Sequence, residues 1–100
     1  MAHCPADQLG DVAACLDEIR AWPAVREERP GVFYVKRTAF LHFHLGRDSE
    51  RWADARNGAD WREHIAIPRG ATASQRQRFV RDVRRCYRAT ARHVGLHEEE

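Results

Sequence analysis

The chain is poor in cysteine, in lysine and in long apolar runs, and each shortage narrows its class. Its three cysteines, Cys4, Cys15 and Cys86, cannot all pair, and no two stand at C-x-x-C spacing. That argues against a disulfide scaffold and against a zinc ribbon. No apolar run approaches the roughly 18 residues of a membrane span. Met1-Ala2-His3-Cys4-Pro5 has neither the basic segment nor the apolar stretch of a secretory signal. With reduced cysteines, this predicts a cytoplasmic protein that does not engage a membrane. There is no G-x-G-x-x-G, phosphate-loop or G-x-S-x-G pattern. Nucleotide cofactors and a nucleophilic serine are therefore not indicated, and no residue is assigned a catalytic role.

What is present suits one small globular domain over residues 1–100. Of the 100 residues, 43% are hydrophobic and 32% charged, enough apolar material for a single core. The net charge of +2 is too small to imply nucleic acid by itself. Its distribution is uneven. Of seventeen cationic side chains only Lys36 is a lysine, and Arg76, Arg78, Arg81, Arg84, Arg85, Arg88 and Arg92 cluster near the C-terminus with Asp82 as the one acid among them. Asp7, Asp11, Asp17 and Glu18 make the first helical stretch acidic. A charged outer helix face is ordinarily a solvated one, so only weak, non-specific nucleic-acid binding is expected of the arginines.

Leu9, Val12, Leu16 and Ile19 recur at helical spacing and predict a helix over 7–22, with Asp7 as its cap and Pro23 ending it. Ala24 to Pro30 reads as a charged loop, closed by the Pro30-Gly31 turn. Strands are predicted at 32–35, 39–45, 51–56 and 61–67 from β-branched and aromatic content and alternation. Thr72-Ala73-Ser74-Gln75 is a capping-box pattern opening a last helix that Gly95 would end. Frayed ends are expected at about 1–6 and 96–100. The order predicts an α+β fold of two layers: a four-stranded antiparallel sheet with the N- and C-terminal helices on one face.

Such a sheet has an uncovered face, and alternation says what it carries. With Leu41, Phe43, Ala53, Ala55, Ile65 and Ile67 inward, Tyr34, Lys36, Phe40, His42, His44, Trp52, Asp54, Arg56 and His64 face outward. Placing His64 there requires a three-residue Asn57-Gly58 loop with a bulge. A two-residue loop would expose both isoleucines and sacrifice roughly 1.5–3 kcal/mol for each. The patch admits three readings. His42, His44, Asp54 and Arg56, with Tyr34 and Trp52 beside them, suit a small anionic ligand. His42, His44 and His64 suit a divalent metal such as zinc. Alternatively, the histidines are merely amphipathic side chains on a half-solvated sheet. The three aromatics also suit a homodimer or another protein-interaction surface.

Val32-Phe33-Tyr34-Val35-Lys36-Arg37-Thr38-Ala39-Phe40-Leu41-His42-Phe43-His44, followed by Ala53-Asp54-Ala55-Arg56, resembles a group of small uncharacterised bacterial proteins. These carry F-Y-x-K-x-x-A-F-L-H-F-H and then A-D-x-R. A looser similarity is to small luciferase-like domains, with a histidine pair on a strand of a two-layer α+β plan. Neither resemblance implies a known activity. Both imply that His42, His44, Asp54 and Arg56 act together.

Overall fold

A computed structural model describes residues 2–48 and 50–96, the side chains of Ala2 and Arg62 excepted. Its elements are β1 (Ala2–His3), two 3₁₀ turns (Ala6–Gln8 and Gly10–Val12), α1 (Ala13–Arg20), β2 (Val25–Arg29), β3 (Val32–Val35), β4 (Thr38–Leu45), β5 (Arg51–Asn57), β6 (Asp60–Ala66) and α2 (Ala73–His93). The class is α+β and every strand pairing is antiparallel, as the short connections require.

The sheet has six strands, not four. Its path runs β2-β3-β4-β5-β6, and β1 pairs with β4 beyond the end of β3. Both added strands lack an apolar alternation. In β2 only Val25 is apolar. The strand forms at the sheet edge, where charged side chains face water and the backbone ladder to β3 holds it. Within the stretch 1–6, where fraying was expected, Ala2 and His3 pair with Leu45 and His44, and Cys4 donates its N–H to Phe43 O at 3.1 Å. At the other end Leu96 donates to Ala91 O at 2.8 Å, while residues 97–100, where fraying was also expected, lie outside the described residues.

The first helix is shorter than its periodicity predicts. The chain enters through the two 3₁₀ turns, broken at Leu9, and Asp7 makes no cap; the α-helix proper begins at Ala13. The last helix matches expectation. Thr72 Oγ1 accepts from the Gln75 N–H at 3.1 Å and the Gln75 side chain accepts from the Thr72 N–H at 2.8 Å, completing the capping box.

One cluster forms the core. Cys15, Leu16 and Ile19 of α1 and Phe79, Val83, Cys86 and Tyr87 of α2 join Phe33, Val35, Leu41, Phe43, Ala53, Ala55 and Ile65 of the sheet, with Ile67 just beyond β6. All three cysteines are free and buried in it. Desolvation raises each thiol, that of Cys86 to about 11, which keeps them protonated and inert.

Two bulges set which side chains reach that core. In β4, Tyr34 pairs with Ala39 and Phe33 with Leu41, so Phe40 is the extra residue. Phe40 and Leu41 are both fully buried, and Phe40 meets Tyr87 edge-on at 5.9 Å. The expectation that Phe40 faces outward is therefore wrong: an extra residue in the strand interrupts strict alternation. In β6, Ala55 pairs with Glu63 and Arg56 with Trp61, so position 62 is extra. The hairpin turn itself has two residues, Gly58 and Ala59, and Gly58 takes φ 80°, which costs glycine little. Ile65 goes inward and His64 outward as predicted, but the strand bulge shifts the parity, not a longer loop. Lys36 also departs from expectation. It sits in the turn after β3 with φ 55°, and its Nζ lies 3.5 Å from Val94 O, beside the end of α2.

Candidate functional site

Strand pairing places the outward residues in rows. His42 stands opposite Asp54, which stands opposite His64, while His44 stands opposite Trp52 and His3. Their neighbours Leu41, Phe43, Ala53, Ala55 and Ile65 belong to the core, so this row lies on the other side of the sheet. The structure thus brings together His42, His44, Trp52, Asp54 and His64.

Asp54 is the hub. Its Oδ2 lies 3.0 Å from His44 Nε2, a close polar contact. Its Oδ1 lies 3.6 Å from His64 Nδ1, an electrostatic contact too long for a hydrogen bond. Trp52 fills the space between the two histidines. Its ring stacks on His44 at 5.4 Å and 25° and on His64 at 5.2 Å and 22°. Only 9% of Trp52 is exposed. Gly46 makes that burial possible, because a Cβ there would lie 3.0 Å from Trp52 Cζ3 and 2.8 Å from Glu50 Oε1.

His3, which no sequence pattern singled out, extends the row. Its Nδ1 is 2.9 Å from His42 Nε2, and the His42 ring lies 4.2 Å from that of His44. One imidazole donates in the His3–His42 bond and the other accepts, so at least one of them is neutral. Burial, then the neighbouring His44, His3 and Arg29 charges, holds the His42 pKa below the ordinary histidine range, and only Asp54 opposes them. The other nitrogen of His44, Nδ1, is buried and has no hydrogen-bond partner among the described residues.

Two predicted residues stand apart. Arg56 donates Nε to Ala39 O and Nη1 to Ala59 O, each at 2.7 Å, and lies 5.0 Å over the Trp61 ring. Two of its three nitrogens are held by backbone carbonyls. Tyr34, under Arg26 at 5.1 Å, pairs with Ala39 and stands two residues along β3 from Val32, the residue opposite His42, or about 7 Å at the strand rise. The metal set is not assembled either. His44 and His64 flank Trp52 from the strands on either side of it, and among the described residues no three His, Cys, Asp or Glu side chains form a metal-holding group.

Sequence reasoning also missed Arg51, which shares the parity of Ala53 and Ala55 and points into the protein, 1% exposed. It donates Nε to Ile67 O at 2.7 Å, Nη1 to Gln8 O at 2.7 Å and Nη2 to Pro68 O at 3.0 Å, and it grips both Asp11 oxygens at 2.8 Å. Asp11 is held down to about 2 by that hydrogen bond. This network is structural, tying the N-terminal turns to the far end of the β5–β6 pair.

Beside His64 a shallow cavity of about 210 Å³ is lined by Asp54, Trp61, Glu63 and His64. Its two carboxylates disfavour an anion there. The opposite end of the row is formed by the imidazoles of His3, His42 and His44, with Arg29 nearby. Comparison with protein-family models, with curated proteins and with solved structures finds no match for the chain.

Proposed function

We propose that the outer face of the sheet is a binding site for a small anion bearing a phosphate or carboxylate, seated on His42 and His44. On this reading both helices pack on the inner face and leave the outer one open. The observation that carries it is the buried, unpartnered Nδ1 of His44. An unsatisfied buried polar atom costs about 1–3 kcal/mol, and folded proteins rarely leave one without a use. Asp54 Oδ2 stands 3.0 Å from the other nitrogen, Nε2. When the ring carries a proton on Nδ1, a charge-assisted bond from it to an oxyanion satisfies that atom. Arg56 has no part in the seat, and Asp54 acts through His44 without touching the anion.

The test is titration with inorganic phosphate and with acetate, followed by the imidazole nitrogen resonances. Saturable shifts at His44 and His42 are expected, and they are lost in His44→Gln. Shifts absent from His44, or unchanged in that variant, would overturn the assignment. A second reading, self-association through this face, has Trp61 in its favour, 45% exposed at the sheet's β6 edge. It predicts a dimer by sedimentation that Trp61→Ala converts to monomer.

A further inference from the structure

The arginines near the C-terminus acquire an order on α2 that their number alone does not show. Arg78, Arg81, Arg85, Arg88 and Arg92 are separated by three, four, three and four residues, so at 3.6 residues per turn they form one stripe. All five are exposed. Phe79, Val83, Cys86, Tyr87, Thr90 and Ala91 form the buried side of the same helix, and the stripe lies opposite to it. From Arg78 to Arg92 it runs about 21 Å at 1.5 Å per residue.

We propose that this stripe docks along the phosphate backbone of a nucleic-acid duplex, without reading its sequence. Three observations choose the partner. First, the stripe has no apolar or aromatic member. A membrane-surface helix needs an exposed apolar side, and here that side is committed to the core. A protein partner would seek apolar or aromatic anchors, which the stripe lacks. Single strands are ordinarily held by stacking on aromatic rings, and none stands among these arginines. Second, every cation on the stripe is an arginine, whose planar fork matches a phosphate with two parallel bonds. Third, the acids nearby hold these side chains loosely. Arg85 Nη2 is 3.5 Å from Glu63 Oε1, and Arg81 Nε is 3.8 Å from Asp82 Oδ1. Both arginines are exposed and both acids are 31% exposed, so water reaches each pair and a phosphate can replace the acid. Phosphate contacts position a protein but specify no sequence, so affinity is set by charge and salt.

The experiment is fluorescence anisotropy with two duplexes of unrelated sequence across a salt series. Equal affinity for the two is expected, with a log–log salt slope near −4.5 for about five phosphate contacts at −0.9 each. The variant Arg78→Gln/Arg85→Gln/Arg92→Gln changes only exposed positions and keeps the fold, which far-ultraviolet circular dichroism verifies. Its slope is expected to fall to about −2, with the loss of affinity greatest at low salt. No binding to either duplex at low salt, or an unaltered slope in the variant, overturns the proposal. So does competition by poly-glutamate as effective as by duplex at equal charge, which would mark an acidic protein as the partner.

Discussion

His44 Nε2 and Asp54 Oδ2 meet at 3.0 Å across the β4–β5 pair, although the two residues are not directly opposite each other. Asp54 faces His42 in the ladder and reaches diagonally to His44, past the stacked ring of Trp52. Of the two side chains 13% of His44 and 37% of Asp54 are exposed, so the contact is partly shielded from water.

Removing the carboxylate should therefore show in stability. Asp54→Ala takes away the oxygen that stands 3.0 Å from His44 Nε2 and is expected to cost about 1–3 kcal/mol. Asp54→Asn keeps an oxygen at that place and should recover most of the loss. Urea denaturation of the three proteins compares them directly. Equal stability of the Ala and Asn variants would mean that the contact contributes nothing.

The parts of the fold visible in the sequence are those where local chemistry and burial agree. Thr72 and Gln75 build their capping box from four consecutive residues, and the Ile65 and Ile67 burial requirement sets the parity of β6 whatever device achieves it. The parts that escaped depend on partners distant in the chain. β1 and β2 exist because a ladder is offered to them, and neither alternation nor β-propensity marks them. Phe40 is legible only as one of an alternating series, and the bulge that turns it inward is a property of the β3–β4 pairing. His42, His44 and Asp54 share a face by simple parity, and the bulge in β6 brings His64 to it. His3 joins them through a strand of two residues, and Arg56 leaves the site because carbonyls of β4 and the hairpin turn lie nearer its fork.

The bulge at Phe40 carries a test of its own. Phe40 is fully buried against Tyr87, so Phe40→Ala opens a cavity in the core and is expected to cost about 3–5 kcal/mol. A residue on the open face would cost no more than about 0.5 kcal/mol. Equilibrium denaturation separates these two magnitudes. A cost near the lower one would return Phe40 to the outer face and remove the bulge.

The last expectation concerns acid. Asp11 sits in the grip of Arg51, and its carboxyl is held to about 2 from an ordinary 3.8. A carboxyl depressed in the folded state binds fewer protons there than in the unfolded chain. Its contribution is therefore present in full above about pH 4 and is lost as the pH falls towards 2. Asp11→Asn should be less stable than the parent at pH 6, and the gap between their melting temperatures should close between pH 4 and 2. Asp11 is partly solvated, so its own share is modest. Arg51 is not solvated, and Arg51→Met strips donors from the carbonyls of Ile67, Gln8 and Pro68 as well as from the carboxylate. Breaking a buried pair by removing one partner costs about 3–5 kcal/mol, and that loss should exceed the loss from Asp11→Asn at every pH. Melting curves for the three proteins from pH 6 to pH 2 decide it. If the parent and Asp11→Asn curves run parallel through the acid range, the Arg51–Asp11 contact is not what depresses the carboxyl.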